Sequence, residues 1–237
     1  MYLENVVFDA LAPRLVGAFW EAVVNGERLT DEPEGFETRL AVEAGPVLDL
    51  CFQRVPERRV EQPRLQLVLT GAAARPEGLD RLRGLGARSL DLDGGSAVLA
   101  DPEGNPFCVA EDPAAYDDSG PLAALTLESA DVDRDVEFWS GLTGWIAAGE
   151  GSPTLRHPSR RGPHLELRPE SAPKSAAKNP VHLDVRLEPG EDPDTVEARI
   201  KERGGDRLHT DWGELPWRSY TDPSGNEFCV LPAPREG

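Results

Sequence analysis

Cysteine is scarce in this chain of 237 residues, and the few present are far apart. Cys51, Cys108 and Cys229 are odd in number and widely spaced, which argues against a disulfide framework. The sequence also lacks an apolar run long enough to span a membrane. Its amino terminus, MYLENVVFDA, carries acidic residues where a secretory signal would carry basic ones. We therefore expect a cytoplasmic protein.

Basic residues are also few compared with acidic residues. The chain has 25 basic and 43 acidic residues, a formal net charge of −18 and an isoelectric point near 4.6. Because the nucleic-acid backbone and cellular membrane surfaces are also negative, we expect neither as a partner. The sequence has no GxGxxG after a strand, no Walker loop, no HExxH and no GxSxG, which removes the chemistries those motifs support.

What the chain does contain is an internal repeat. The stretch DPEGNPFCV at 101–109 recurs as DPSGNEFCV at 222–230, identical at seven of nine positions. Asp first, Pro second and Gly fourth are typical of a type I turn, and Phe-Cys-Val has the composition of a strand. We interpret the repeat as a turn and its following strand, not as a catalytic motif. Cys108 and Cys229 are accordingly expected to be small packing residues.

Two further landmarks recur in the same order. The pair Phe19-Trp20 matches Phe138-Trp139, each in a predicted helix after a predicted strand, and 63–68 matches 179–184 as the opening of a strand. Asp131 is predicted to cap the second of these helices. The stretch PAAYDDSG joins the halves, so we place a first domain at 1–112, a linker at 113–120 and a second domain at 121–237.

Within each half, a strand, a helix and several short strands follow one another twice, which predicts four βαβββ units of α+β class. Tandem βαβββ units ending in DPxGNxFCV resemble the vicinal oxygen chelate superfamily, the group of glyoxalases, bleomycin-resistance proteins and extradiol dioxygenases. The resemblance covers nearly the whole chain. It implies two tandem glyoxalase-like domains, each a cupped mixed sheet with helices outside and with ligand or metal on the inner face. One cup is expected in each half.

The resemblance also implies where a metal would bind, since the family's ligands lie on the first and last strands of the two units that form a cup. In the first half the matching positions are Asn5, a position near Cys51, Gln66 and Cys108. This set has neither histidine nor carboxylate, so the first cup is expected to hold no metal. In the second half the matching positions are Ala124, Glu166, His182 and Cys229. A metal there would depend on His182 and Glu166.

The second half also contains all four histidines. Alternation along the strands puts His164 and Glu166 on one face, and His182 and Asp184 on one face of another strand. A loop with Trp212 and Trp217 precedes the final hairpin and could cover the mouth of a cup. These six residues are the candidate ligand site. The alternative is an ordinary solvated sheet face, which alternation by itself does not exclude.

Three functions are compatible with these features. The leading hypothesis is a protein without a cofactor that binds a small organic metabolite in the second cup, with a degenerate metal site. The alternatives are a lyase, isomerase or dioxygenase with one divalent ion (Zn, Mn, Ni or Fe) on His182 and Glu166, and a non-catalytic interaction scaffold. Because fused domains supply the pairing that single-domain relatives obtain by dimerising, we expect a monomer, with a dimer as the alternative.

Overall fold

The architecture was analysed in a computed structural model, in which residues 1–57, 62–70, 73, 75–90, 98–209 and 215–234 are described. Within these ranges the chain forms sixteen strands and four α-helices. They follow the predicted order of four βαβββ units.

The first unit consists of β1 (Tyr2–Ala10), α1 (Pro13–Val24), β2 (Glu27–Glu32), β3 (Gly35–Ala41) and β4 (Val47–Arg54). The second consists of β5 (Leu65–Leu69), α2 (Pro76–Leu85), β6 (Arg88–Ser89), β7 (Val98–Ala100) and β8 (Pro106–Val109). The third consists of β9 (Leu122–Ser129), α3 (Val132–Thr143), β10 (Ile146–Ala147), β11 (Thr154–Arg156) and β12 (His164–Pro169). The fourth consists of β13 (Val181–Arg186), α4 (Pro193–Glu202), β14 (Asp206–Leu208), β15 (Arg218–Thr221) and β16 (Glu227–Leu231).

The strands form two mixed sheets of eight, and each sheet joins one unit from each half of the chain. The first and fourth units form the terminal sheet, in the order β14-β15-β16-β13-β1-β4-β3-β2. The second and third units form the central sheet, in the order β10-β11-β12-β9-β5-β8-β7-β6. The α+β class and the two cupped sheets are as predicted, but the expectation that each half closes its own cup is wrong.

Antiparallel pairs between first strands join the units within each sheet. In the terminal sheet β1 pairs with β13, so that Asn5 lies opposite Asp184 and Val7 lies opposite His182. In the central sheet β5 pairs with β9, so that Val68 lies opposite Ala124. An internal repeat identifies equivalent units, but it does not specify which first strand pairs with which. Edge complementarity between distant strands decides that, and the sequence pattern does not contain it.

The repeated turns connect units within each half instead. Asp101 accepts a hydrogen bond of 3.1 Å from the indole Nε1 of Trp20 on α1, and Asp222 accepts one of 3.2 Å from the indole of Trp139 on α3. Both carboxylates also accept backbone N–H groups of their own turn. The turn of each even-numbered unit therefore binds the helix of the unit before it. The motif has a structural role, as its composition predicts.

Helices cover the outer face of each sheet and the core lies beneath them. Val6 and Phe8 of β1 are buried in this core, and Phe8 packs on the ring of Trp20. Alternation then turns the residues between them toward the opposite, concave face. None of the four described helices has the length and apolar character needed to cross a membrane.

Candidate ligand-binding cup

The concave face of the terminal sheet holds a cavity of about 660 Å³, which we call the terminal cup. Its lining comes from both halves of the chain, mainly from β1, β4, β13, β15 and β16. The polar part of the lining includes Asn5, Cys51, Lys178, His182, Asp184, Ser219 and Cys229. The apolar part includes Val55, Pro56, Leu208, Leu215, Pro216, Trp217 and Leu231. A cavity of this size, with mostly apolar walls and a few polar groups, is typical of small-molecule sites.

Strand alternation explains why these polar side chains meet. On β13, Leu183 and Val185 are buried in the core under the helices, so His182 and Asp184 face the cup. On β16, Phe228 and Val230 belong to the same core, and Cys229 between them faces the cup. Parallel pairing of β13 with β16 then places Cys229 beside Asp184.

His182, Asp184 and Cys229 form a close cluster, which we call the cup triad. One ligand atom from each lies within 4.8 Å of the other two. His182 Nε2 is 3.5 Å from Asp184 Oδ1 and 3.8 Å from Cys229 Sγ. Asn5 Nδ2 donates a hydrogen bond of 3.1 Å to Asp184 Oδ2. Residues from β1, β13 and β16 thus converge on one point of the cup floor.

Burial disfavours the charged form of each member of the triad. Loss of solvent, the larger cause, and the nearby Lys178 ammonium together lower the pKa of His182 to about 3. Burial raises the pKa of Asp184 to about 7 and that of the Cys229 thiol to about 12. At neutral pH the imidazole is therefore uncharged and the thiol is protonated.

Two buried atoms of the triad, His182 Nδ1 and Asp184 Oδ1, have no hydrogen-bond partner within the part of the chain that the structure describes. A buried polar atom without a partner costs about 1–3 kcal/mol. Such atoms are rare in folded proteins, and a water molecule, an ion or a ligand can supply the missing bond. Here both atoms belong to residues that line the cavity.

Three ion pairs lie near the cup. Lys178 Nζ bonds both oxygens of Asp9, at 2.7 and 2.8 Å. Arg186, also part of the lining, bonds Glu4 at 2.5 Å and Lys174 bonds Glu227 at 3.1 Å. Among the residues that the structure describes, the basic groups near the cup are matched by carboxylates, so this part of the lining has no large excess of positive charge for an anionic ligand.

The structure brings some of the predicted site residues together and separates others. His182, Asp184 and Trp217 line the terminal cup. His164 and Glu166 lie on β12 in the central sheet, and Trp212 lies outside the described residues. A metal site on His182 and Glu166 is therefore wrong, because strand pairing across the halves places the two residues in different sheets.

Sequence reasoning missed the part that Asn5, Cys51 and Cys229 play in this cup. Asn5 and Cys51 were assigned to a cup of the first half, and Cys229 was expected to be a packing residue. All three line the same cavity as His182. No sequence signal identifies them, because only the pairing of β1 with β13 brings the matched positions of the first and fourth units together.

The concave face of the central sheet, which we call the central cup, has no counterpart of the triad among its described residues. In the terminal sheet, Asp184 lies opposite Cys229 on one side and Asn5 on the other. The equivalent position in the central sheet is Val68, which lies opposite Cys108 and Ala124. The residue two before Val68 is Gln66, where the terminal cup has His182. The carboxylate and imidazole of the terminal cup are thus replaced by an apolar side chain and an amide.

The cup triad fits a divalent metal in donor type. Imidazole nitrogen, carboxylate oxygen and thiolate sulfur are the ligands that zinc takes in proteins, and three of them leave a coordination position for a ligand. Bound metal would displace the thiol proton, because only the thiolate is a ligand. His182 Nε2 is the nitrogen that lies near Asp184 Oδ1 and Cys229 Sγ, and Asp184 Oδ1 has no hydrogen-bond partner among the described residues. The set is poor for magnesium or calcium, which prefer oxygen.

Several solved structures superpose on nearly the whole of this chain. Glyoxalase I from Zea mays superposes with a TM-score of 0.61 at 15% identity, over 98% of this chain and 92% of that one. A protein described as a possible dioxygenase from Bacillus subtilis gives 0.56 at 14%, over 99% and 86%. The cppA protein from Streptococcus pneumoniae gives 0.51 at 11%, over 98% and 99%. These likenesses show that the chain shares its overall fold with these proteins.

The sequence itself identifies the family. The profile of the glyoxalase-like domain matches twice, at residues 5–110 and 124–231. The chain therefore belongs to the glyoxalase-like domain family, with two copies of the domain. No curated protein sequence matches it.

Proposed function

We propose that the terminal cup binds a small organic molecule. The observation that carries this proposal is the pair of unpartnered buried atoms, His182 Nδ1 and Asp184 Oδ1, on residues that line a cavity of about 660 Å³. A ligand with both donor and acceptor groups would complete their hydrogen bonds, and its apolar part would lie against Trp217 and Leu215. The near balance of charge around the cup favours a neutral ligand.

A screen of neutral metabolites by thermal unfolding and tryptophan fluorescence tests this proposal. The wild type is compared with Asp184→Asn, which alters the cup floor, and with Glu166→Gln, which makes the same carboxylate-to-amide change elsewhere, on β12 of the central sheet. We expect a compound that raises the melting temperature of the wild type and of Glu166→Gln, with at least tenfold weaker binding to Asp184→Asn. A compound whose binding is reduced only in Glu166→Gln would contradict the proposal.

The close approach of three ligand atoms supports a second candidate, a metal-dependent enzyme of this family. A divalent ion would be held by His182, Asp184 and Cys229. When bound, the ion would supply a Lewis acid that polarises oxygen atoms of a ligand. Asn5 would keep Asp184 in place through its 3.1 Å hydrogen bond.

Elemental analysis separates this candidate from metal-free binding. The protein is purified without chelator and resupplied with zinc, manganese, nickel and iron, alongside His182→Ala, Cys229→Ala and the matched control Cys108→Ala. If the triad holds a metal, the wild type and Cys108→Ala retain about one ion per chain, and the other two variants lose it. An ion content at background in all four proteins contradicts the metal centre and leaves the binding proposal standing.

A further inference from the structure

The linker between the two halves places a tyrosine in the central cup. Tyr116 ends the 3-10 helix Pro113–Tyr116. Its hydroxyl donates a hydrogen bond of 2.7 Å to Glu166 Oε1, and its ring lies 5.1 Å from that of His164. The other oxygen of Glu166 accepts a 2.7 Å hydrogen bond from Arg168. The phenol thus meets a charged acceptor at its polar end.

An apolar cluster meets the phenol ring. Tyr116 and Cys108 pack against the buried side chains of Val68, Ala110, Ala123 and Ala124. Three members of this cluster, Val68, Cys108 and Ala124, stand where the terminal cup has Asp184, Cys229 and Asn5. The ring therefore covers the place in the central cup that corresponds to Asp184, Cys229 and Asn5 in the terminal cup.

The linker around Tyr116 is fixed at both ends. Asp112 accepts a hydrogen bond of 3.1 Å from the Ala114 N–H, and the Ser119 hydroxyl donates one of 2.7 Å to the Tyr116 carbonyl. The Gly162 N–H, just before β12, donates one of 2.9 Å to the Asp118 carbonyl. The first two bonds shape the linker itself and the third joins it to the segment before β12, so the ring is positioned by the backbone as well as by its own contacts.

From these contacts we infer that the central cup is a phenol-binding site whose occupant is Tyr116 of the same chain. The site has the parts that recognise a phenol: an apolar floor, an imidazole beside the ring and a carboxylate that accepts a hydrogen bond from the hydroxyl. Small side chains at Ala123 and Ala124 make room for the ring. The ligand class that this site accepts in place of Tyr116 is a para-alkyl phenol.

Removing the tyrosine side chain tests the inference by exposing the site to a free phenol. The number of p-cresol molecules bound by the full-length Tyr116→Ala variant and by the wild type is measured by isothermal titration calorimetry. We expect the variant to bind one more equivalent than the wild type, and to bind p-cresol about tenfold more tightly than toluene, because Glu166 is a charged acceptor. Tyr116→Phe, which keeps the ring in place, should bind no extra equivalent.

A folded Tyr116→Ala variant that binds p-cresol in the same number as the wild type overturns the inference. So does equal affinity for p-cresol and toluene, since the carboxylate would then have no part in recognition. Counting the extra equivalent against the wild type keeps the result separate from any binding in the terminal cup.

A measurement on the wild type covers the case in which Tyr116→Ala does not fold. Burial raises the pKa of Tyr116 to about 12, and the hydrogen bond to Glu166 adds to this shift. In protein labelled with 3-fluorotyrosine, we expect the Tyr116 fluorine signal to titrate well above the range of free fluorotyrosine and to move toward it in Glu166→Gln. An ordinary titration of Tyr116 in the wild type contradicts an occupied cup.

Discussion

Asp222 shows how one buried carboxylate can hold a helix and a turn together. Its side chain accepts the Trp139 indole at 3.2 Å, the backbone N–H groups of Ser224 and Asn226 at 2.9 and 2.8 Å, and the Asn226 amide at 2.9 Å. Asp101 makes the matching set of contacts with Trp20, Glu103 and Asn105. The two aspartates are almost completely buried.

We predict that Asp222→Ala lowers the free energy of unfolding by about 2–4 kcal/mol, because several buried donors lose their acceptor at once. Asp101→Ala should have an effect of similar size. Urea denaturation followed by tryptophan fluorescence and circular dichroism measures both. A loss below about 0.5 kcal/mol, of the order seen at ordinary surface positions, would show that the turns do not hold the helices.

For single residues, the sequence predicted the features that depend on neighbouring residues along the chain. Asp131 caps α3, as expected, by accepting a hydrogen bond from the Arg134 N–H at 3.2 Å. Alternation correctly placed His182 and Asp184 on one face of β13. Cys229 was missed as a site residue, because its neighbour Asp184 lies on another strand and the pattern of one strand does not reveal the next.

Among the elements, α4 is attached to its sheet by a charged network centred on Glu197. The Glu197 carboxylate bonds Lys201 on the same helix, Arg207 on β14, and Arg218 and Tyr220 on β15. The hydrogen bond from Lys201 is the largest cause that lowers the pKa of Glu197 to about 2, with Arg207 adding to it. The helix is therefore fixed to two strands by one side chain.

The stability that Glu197 contributes should depend on pH. Since its pKa is lowered from 4.5 to about 2 on folding, the contribution is complete above 4.5 and is lost as pH falls through 2. We predict that Glu197→Gln costs about 1 kcal/mol at pH 7, a value reduced for solvent screening, and less at pH 3. Urea midpoints at the two pH values measure this, with the exposed Glu202→Gln as control. A cost that is the same at both values would contradict the ionic origin.

The order and type of the elements were predictable because turn residues and periodicity are local signals. The DPxGN stretches formed turns followed by the strands β8 and β16, as their composition indicated. The relation between strands was not predictable in the same way. His164 and Glu166 do lie together on β12, but the sheet that contains β12 does not contain His182.

At the scale of the whole molecule, the two halves are joined through both sheets. The pairs β1 with β13 and β5 with β9 each connect residues on opposite sides of the linker. Neither half contains a complete cup. The family profile, by contrast, matches each half separately. A profile describes the order of residues along the chain, and the pairing of strands within a sheet does not enter it.

We predict that the halves stay together after the linker is cut. A protease site inserted between Asp117 and Asp118, both exposed, allows cleavage of the folded protein. Because each sheet keeps its central antiparallel pair, the fragments should elute as one species of unchanged size in gel filtration and separate only in denaturant. Residues 1–117 and 118–237 expressed separately should each lack cooperative unfolding. Fragments that separate under native conditions would contradict the shared sheets.

The pairing of β1 with β13 also sets the order in which a growing chain can fold. The central sheet has all its strands once β12 has been made, but β1 must wait for β13, which begins at Val181, 171 residues after β1 ends at Ala10. At about 5–20 residues per second, synthesis of that stretch takes roughly 10 to 30 seconds. Throughout this time β1 is an edge strand with unpaired backbone groups, open to pairing with another nascent chain. The first strand to leave the ribosome is therefore among the last to be completed, and the interval before β13 arrives is when this protein is most exposed to misassembly.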